Sequence, residues 1–260
     1  MPAATGWFRP CLTSLHAVAL LIVPRRVVLW LEEAYFRRKG EKELLLVEYL
    51  CRPQQDAIDV GGNIGCYSLF MRKYASRVYS FEPIPWMAEK LARKFGDSVI
   101  VRQIALSSVA ATAKLHIPTV NGRPVTAMSS LSAGKNSSGQ DVTVQTAPLD
   151  DIYDGQVGLI KIDVEGHEEA VLDGARRTII RCRPRLLIEI EDRHAPGGLE
   201  RIVAFFNALN YSGYFFRDGT MQDIANFDLD TMQDPSRLNK REYTNNFIFV
   251  PREDIPIAMK

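Results

Sequence analysis

The sequence predicts an α/β fold, an open and mostly parallel sheet with helices on both faces, and three stretches predict it. In the first, the short apolar run Ala57-Ile58 reaches Asp59, glycines at 61, 62 and 65 turn the chain, and a helical pattern (Tyr67, Leu69, Phe70, Tyr74) begins at once. In the second, Arg77–Phe81 reads as a strand closed by Glu82-Pro83. In the third, Val157–Ile162 is apolar apart from Lys161 and ends at Asp163. A strand buried on both faces, as in the middle of a parallel sheet, has that composition.

Taken in order, the chain opens with the apolar stretch Leu12–Val23, which contains His16 and stops at Pro24-Arg25-Arg26. It falls short of the ~20 apolar residues a spanning helix needs. It also lacks the basic leader and cleavage site of a signal peptide. The expectation is a helix that packs on the domain or touches a membrane peripherally without spanning it. From Val27 to Leu50 apolar residues recur at helical spacing, and Gly40 splits the run into two amphipathic helices. Residues 1–50 are read as an N-terminal helical extension and 51–260 as the main domain.

After the glycine turn and the strand ending at Glu82, Trp86–Phe95 reads as a helix and Val99–Leu106 as a third strand. Thr112–Ile117 and Asp141–Gln145 alternate as strands do. Between them Thr119–Gln140 is rich in Ser, Gly, Asn and Pro, the composition of a long functional loop. Past Asp163, Ala170–Ile180 is helical, Arg185–Glu191 a strand, Leu199–Leu209 a helix, and Tyr211–Phe216 and Asn245–Pro251 the last strands.

Composition narrows the function. Hydrophobic residues make up 46% of the 260, and 32 Lys and Arg oppose 31 Asp and Glu. That balance gives no overall field to draw in nucleic acid, and no nucleic-acid partner is expected. The four cysteines (Cys11, Cys51, Cys66, Cys182) show no Cys-x-x-Cys spacing, and the four histidines lie far apart. Free thiols in a reducing, cytoplasmic setting are expected, with no metal site.

The glycine turn points free N–H groups and a helix dipole at a ligand. A dinucleotide fingerprint needs glycines at 61, 63 and 66, whereas the chain has Gly61, Asn63 and Cys66, which argues against an NAD-linked oxidoreductase. Glycines at 61 and 65 with an acid two positions before the first resemble instead the first motif of S-adenosylmethionine (SAM)-dependent methyltransferases. Glu82 lies about twenty residues past the turn, where an acid at the next strand's tip meets ribose hydroxyls. Its bland alternative is a surface carboxylate. Gln103-Ile104-Ala105 would lie beside an adenine.

Asp59-Val-Gly-Gly-Asn-Ile-Gly65, Phe81-Glu-Pro83, Ala105-Leu-Ser107, Leu149-Asp150, Ile160-Lys-Ile-Asp-Val-Glu-Gly-His-Glu168, Val171-Leu-Asp-Gly-Ala175 and the late Asn-Phe-Ile-Phe-Val follow in that order. Together, over roughly Glu43 to Pro251, they resemble the FkbM family of SAM-dependent methyltransferases, with Gly62 standing where the family commonly has Ala. The resemblance implies a Rossmann-like, class I methyltransferase fold of seven strands with the last antiparallel. It also implies bound SAM and O-methylation of a hydroxyl on a sugar, glycan or polyketide-type small molecule. Cofactor contacts are then expected from Asp59, Gly61, Gly62, Asn63, Gly65, Glu82, Pro83 and Ala105.

An alcohol is a poor nucleophile while protonated, so a base should stand near it. Asp163, Glu165 and His167 are the candidates at the end of the fourth strand, and His167 has the best unperturbed pKa for the task. A helix-starting His can equally be a satisfied surface residue, and Glu168 and Glu169 suit a helix's first turn without further role. A metal-assisted variant would pair Asp163 with Glu189 or Glu191 and ranks second. N-methylation stays open, as does the oligomeric state. An idle scaffold would need a broken cofactor site, yet Asp59, Gly61, Gly65 and Glu82 are all present.

Overall fold

The computed structural model describes residues 23–120, 122–131, 138–237 and 243–254. Residues 12–22 of the N-terminal apolar stretch lie outside them. No helix among the described residues is long and apolar enough to cross a membrane.

Helix α1 (Arg25–Lys39) starts from the Pro24 carbonyl, and Arg37, Arg38 and Lys39 in its last turn complement the negative end of its dipole. Past Gly40, the expected second helix is a 3-10 turn, Lys42–Leu46, continued by one α-turn, Val47–Leu50. The described part of the extension, residues 23–50, packs into the main domain. Leu29, Leu44, Leu46, Val47 and Leu50 share one buried cluster with Leu69, Phe70, Val78 and Leu159.

The chain then runs β1 (Asp56–Val60), α2 (Cys66–Met71), β2 (Val78–Phe81), α3 (Pro85–Phe95) and β3 (Ile100–Arg102). The third strand ends earlier than its sequence suggests. Gln103-Ile104 leaves the ladder, and Ala105–Leu106 becomes β4 of a second sheet. That sheet is completed by β5 (Ala111–Val120), β6 (Arg123–Pro124) and β7 (Gly139–Ala147), in the order β4-β7-β5-β6.

Thr119–Gln140 is therefore not one loop. Both ends belong to the β5–β7 hairpin, β6 pairs back onto β5, and Ser130 and His116 exchange backbone hydrogen bonds of 3.0 and 3.1 Å. The strands expected at Thr112–Ile117 and Asp141–Gln145 form this ladder, which runs a few residues further into the polar stretch than composition suggests. Residues 121 and 132–137 lie outside the described part.

The main sheet resumes with β8 (Val157–Ile162), followed by α4 (Glu168–Gly174) and α5 (Arg176–Cys182) in place of one long helix. Gly174 packs against the Ser107 carbonyl so closely that a Cβ would lie 2.0 Å from it, and the axis breaks there. The rest is β9 (Arg185–Glu189), α6 (Gly198–Ala208), β10 (Tyr211–Arg217), β11 (Thr220–Asp223) and β12 (Asn246–Pro251). The sheet order is β11-β10-β12-β9-β8-β1-β2-β3, parallel from β9 to β3, with β12 antiparallel between β9 and β10.

This is the seven-strand Rossmann-like arrangement with the last strand antiparallel, plus β11 as an eighth at the edge. Asp218-Gly219, both at positive φ, forms the hairpin that adds it. From β1 the chain first moves outward to β2 and β3, and later returns to lay β8 on the other side of β1. Open α/β sheets bind ligands at the carboxyl ends of strands at such a reversal.

Candidate active site

Gly61 ends β1 at φ +82°, and a Cβ there would sit 1.9 Å from the Asp163 carbonyl oxygen, so the tips of β1 and β8 meet only because this residue is glycine. The N–H groups of Gly61 and Gly62 both donate to the Phe81 carbonyl, at 2.9 and 3.1 Å. The Asn63 N–H donates to Glu82 Oε2 at 2.8 Å and the Ile84 N–H to Oε1 at 2.9 Å. Glu82 is thus clamped by the turn before it and the helix after it. Burial lifts its carboxyl to about 7 against the pull of these two donors.

Gly61, Asn63, Glu82, Pro83 and Ala105 line one cleft. Asp59, Gly62 and Gly65 do not. Asp59 turns beneath the turn and accepts from the Ser68 N–H (3.0 Å) and hydroxyl (2.6 Å), fixing the start of α2. A Cβ on Gly62 would meet Ser80 Oγ at 2.1 Å, and one on Gly65 would meet the Phe95 ring at 2.5 Å. These two glycines let the turn lie flat on β2 and α3.

At the other end of the cleft the Asp163 N–H donates to the Val60 carbonyl (3.0 Å), and the chain rises through Glu165 (φ +52°) and Gly166 (φ +91°). Asp163, Glu165 and His167 all line the cleft. Desolvation pushes the Asp163 carboxyl up to about 7, with buried Lys161 opposing and Glu165 adding to the rise. Glu165 points its carboxylate at His194 Nε2, 3.0 Å away, and that bond raises the His194 pKa. His167 Nε2 lies 2.9 Å from Ser107 Oγ, and burial lowers its pKa, keeping the ring neutral.

Glu189 and Glu191 do not line the cleft. Asn245 donates to both, at 2.6 and 3.1 Å, Lys161 Nζ stands 4.0 Å from Glu189, and Glu191 also accepts from Tyr243 and Arg193. Among the described residues no group of three or more His, Cys, Asp or Glu could hold a metal ion.

The β5–β7 hairpin roofs the cleft through Leu115, Thr126, Ala127, Ser129 and Leu131. Ser130 pins this roof to the floor, its hydroxyl donating to the Glu165 carbonyl at 2.6 Å. Sequence reading missed the roles of Ser107, Ser130 and Lys161. Ser107 carried a signal as the last residue of the Ala105-Leu-Ser motif, and Lys161 as the one charge in an apolar strand.

The residues fit the expected cofactor. A Cβ-free cradle at Gly61 admits close approach, and Glu82 keeps lone pairs directed at the cleft after accepting one N–H per oxygen.

Residues 59–214 match the family model for the methyltransferase FkbM domain. Similar solved structures include methyltransferase FkbM from Methylobacillus flagellatus KT, 17% identical with a TM-score of 0.49, covering 84% of this chain; this chain spans 52% of that one. An rRNA methylase from Streptococcus thermophilus is 12% identical, TM-score 0.44, with 80% and 91% of the two chains covered. Magnesium protoporphyrin IX methyltransferase from Synechocystis PCC 6803, with bound SAM, is 13% identical, TM-score 0.39, covering 86% and 77%. No curated protein matches the chain. With an rRNA methylase among the similar structures, the expectation of no nucleic-acid partner is withdrawn, and the charge argument behind it was insufficient. Net charge averages over the whole surface, whereas a phosphate backbone responds to local groups, so near-neutrality does not exclude such an acceptor.

Proposed function

The chain belongs to the FkbM methyltransferase family, and on that premise we propose that it is a SAM-dependent O-methyltransferase acting on a hydroxyl of a sugar, glycan or polyketide-type molecule. The observation that carries this reading is the pairing, in one cleft, of a clamped acid at the β2 tip with a neutral imidazole and a carboxyl at the β8 tip. SAM, when bound, supplies an electrophilic methyl group. Glu82 would accept from ribose hydroxyls, Gly61 and Asn63 would line the path of the nucleoside, and Ala105 would face its base.

The acceptor end needs a group that takes a proton as the oxygen attacks. Burial lowers the His167 pKa and so favours the neutral, proton-accepting ring, while the Ser107 hydroxyl, 2.9 Å from Nε2, holds the ring in place. Asp163 orients the acceptor from the same wall. Glu165 is tied to His194 and is read as support. His167→Ala is expected to lower turnover by ~10²–10⁴ with SAM affinity retained. Asp163→Asn should also lose turnover, and the wild type should keep its rate in EDTA. Near-normal turnover in His167→Ala would move the base to Asp163. Methyl transfer to amines alone would replace O-methylation with N-methylation.

A further inference from the structure

Helix α1 is apolar on two faces. Its inner residues Val28 and Leu29 are buried, and Leu29 joins the core cluster that takes in Phe70. On the outer face Val27 (43% exposed), Trp30 (64%), Leu31 (54%) and Tyr35 (47%) recur at spacings of three and four, which aligns them in one stripe. A helix apolar all round belongs in surroundings that cover it on both sides.

Charge is sorted across the same helix. Arg25, Arg26, Arg37, Arg38 and Lys39 are all exposed, and they stand at its two ends with the stripe between them. Its two acids turn inward. Glu33 is buried and pairs with Lys73 at 2.8 Å and Arg37 at 2.9 Å, while Glu32 pairs with buried Lys94 at 2.9 Å. The outer side of α1 thus presents cations, aromatic rings and aliphatic chains, with no carboxylate of its own. A second copy of this chain would bring like charges together at both ends, whether the helices ran parallel or antiparallel. The preceding stretch Leu12–Val23 contains no Asp or Glu to answer the cations. An anionic bilayer meets both requirements, since its phosphates attract Arg and Lys while Trp and Tyr settle at headgroup level and aliphatic chains enter the acyl boundary.

We propose that α1 lies flat on an anionic lipid surface, with Val27, Trp30, Leu31 and Tyr35 inserted and Arg25, Arg26, Arg38 and Lys39 on the headgroup phosphates. The chain then works at a membrane that it does not cross, and this holds whatever the methyl acceptor.

The test is cosedimentation of the full chain, without SAM, with vesicles of phosphatidylcholine alone or mixed with phosphatidylglycerol. Wild type should bind the anionic vesicles about tenfold or more tighter than the neutral ones, an advantage that high salt removes. Trp30→Ser with Leu31→Ser, and Arg26→Glu with Arg38→Glu, should each weaken that binding by about tenfold or more. Melting temperatures without vesicles should match wild type, because these side chains face outward. No binding by folded wild type, equal binding to both vesicle types, or unchanged binding in either variant overturns the proposal. A wild-type dimer that the Trp30→Ser, Leu31→Ser variant dissolves assigns the stripe to a second copy and overturns it as well. So does a marked fall in that variant's melting temperature, which would show the chain's own residues covering the stripe. No arm reads methyl transfer, so failure here leaves the proposed function standing.

Discussion

Glu82 and Asp163 stand on either side of the β1 turn, and burial raises both carboxyls to about 7. A carboxyl raised on folding stabilises the ligand-free protein below its unfolded pKa, and that contribution is lost as pH rises through the folded value. Melting temperature without cofactor should therefore fall between about pH 4 and pH 7, and Glu82→Gln or Asp163→Asn should flatten the slope measured by thermal scans. An unaltered slope in both variants would show that neither group is held this way. At this scale the sequence was a partial guide. The positions of Glu82 and His167 were readable because strand tips and helix starts can be placed from pattern. Asp59 was misread, since its partner Ser68 lies nine residues on, across the turn. Nothing in the pattern says which side of a strand tip its carboxylate takes.

The strand–turn–helix at β1 is where one residue type governs an element. Gly61→Ala forces a Cβ against the Asp163 carbonyl at a left-handed φ that by itself costs roughly 1–2 kcal/mol. Urea denaturation should show a larger loss than that, because the β8 tip must move as well. A neutral Gly61→Ala would mean the tips can part freely. Elements with strong period and apolar content, β1, β8 and α3, were legible to within a residue or two. The break between β3 and β4 was not, because Val99–Leu106 reads as one strand and only pairing with β7 draws its end into the second sheet. The roof hairpin was legible in its two strands, Thr112–Ile117 and Asp141–Gln145, but β6 and the 3-10 turn between them were hidden by loop-like composition.

Over the whole molecule, residues 23–50 of the N-terminal extension are part of the core on one face of the sheet. Leu50 is fully buried among residues from α2, β2 and β8. Leu50→Ala should cost ~2–5 kcal/mol, read as a lower urea midpoint with an unchanged slope. A loss below ~1 kcal/mol would mean the extension is only loosely held. The extension also reaches β8 through Tyr67, which donates to Glu41 at 2.6 Å while Lys161 lies over its ring. Sequence alone could divide the chain at residue 50 because no motif crosses it, but packing crosses it freely. On the proposed function, one cleft holds SAM by the β2 acid, Glu82. The most direct measurement is calorimetric titration of S-adenosylhomocysteine into folded wild type and Glu82→Ala. Binding by the wild type, weakened by ~1.5–3 kcal/mol in Glu82→Ala, is the predicted result. No binding by the folded wild type, or equal affinity in the two proteins, would contradict it.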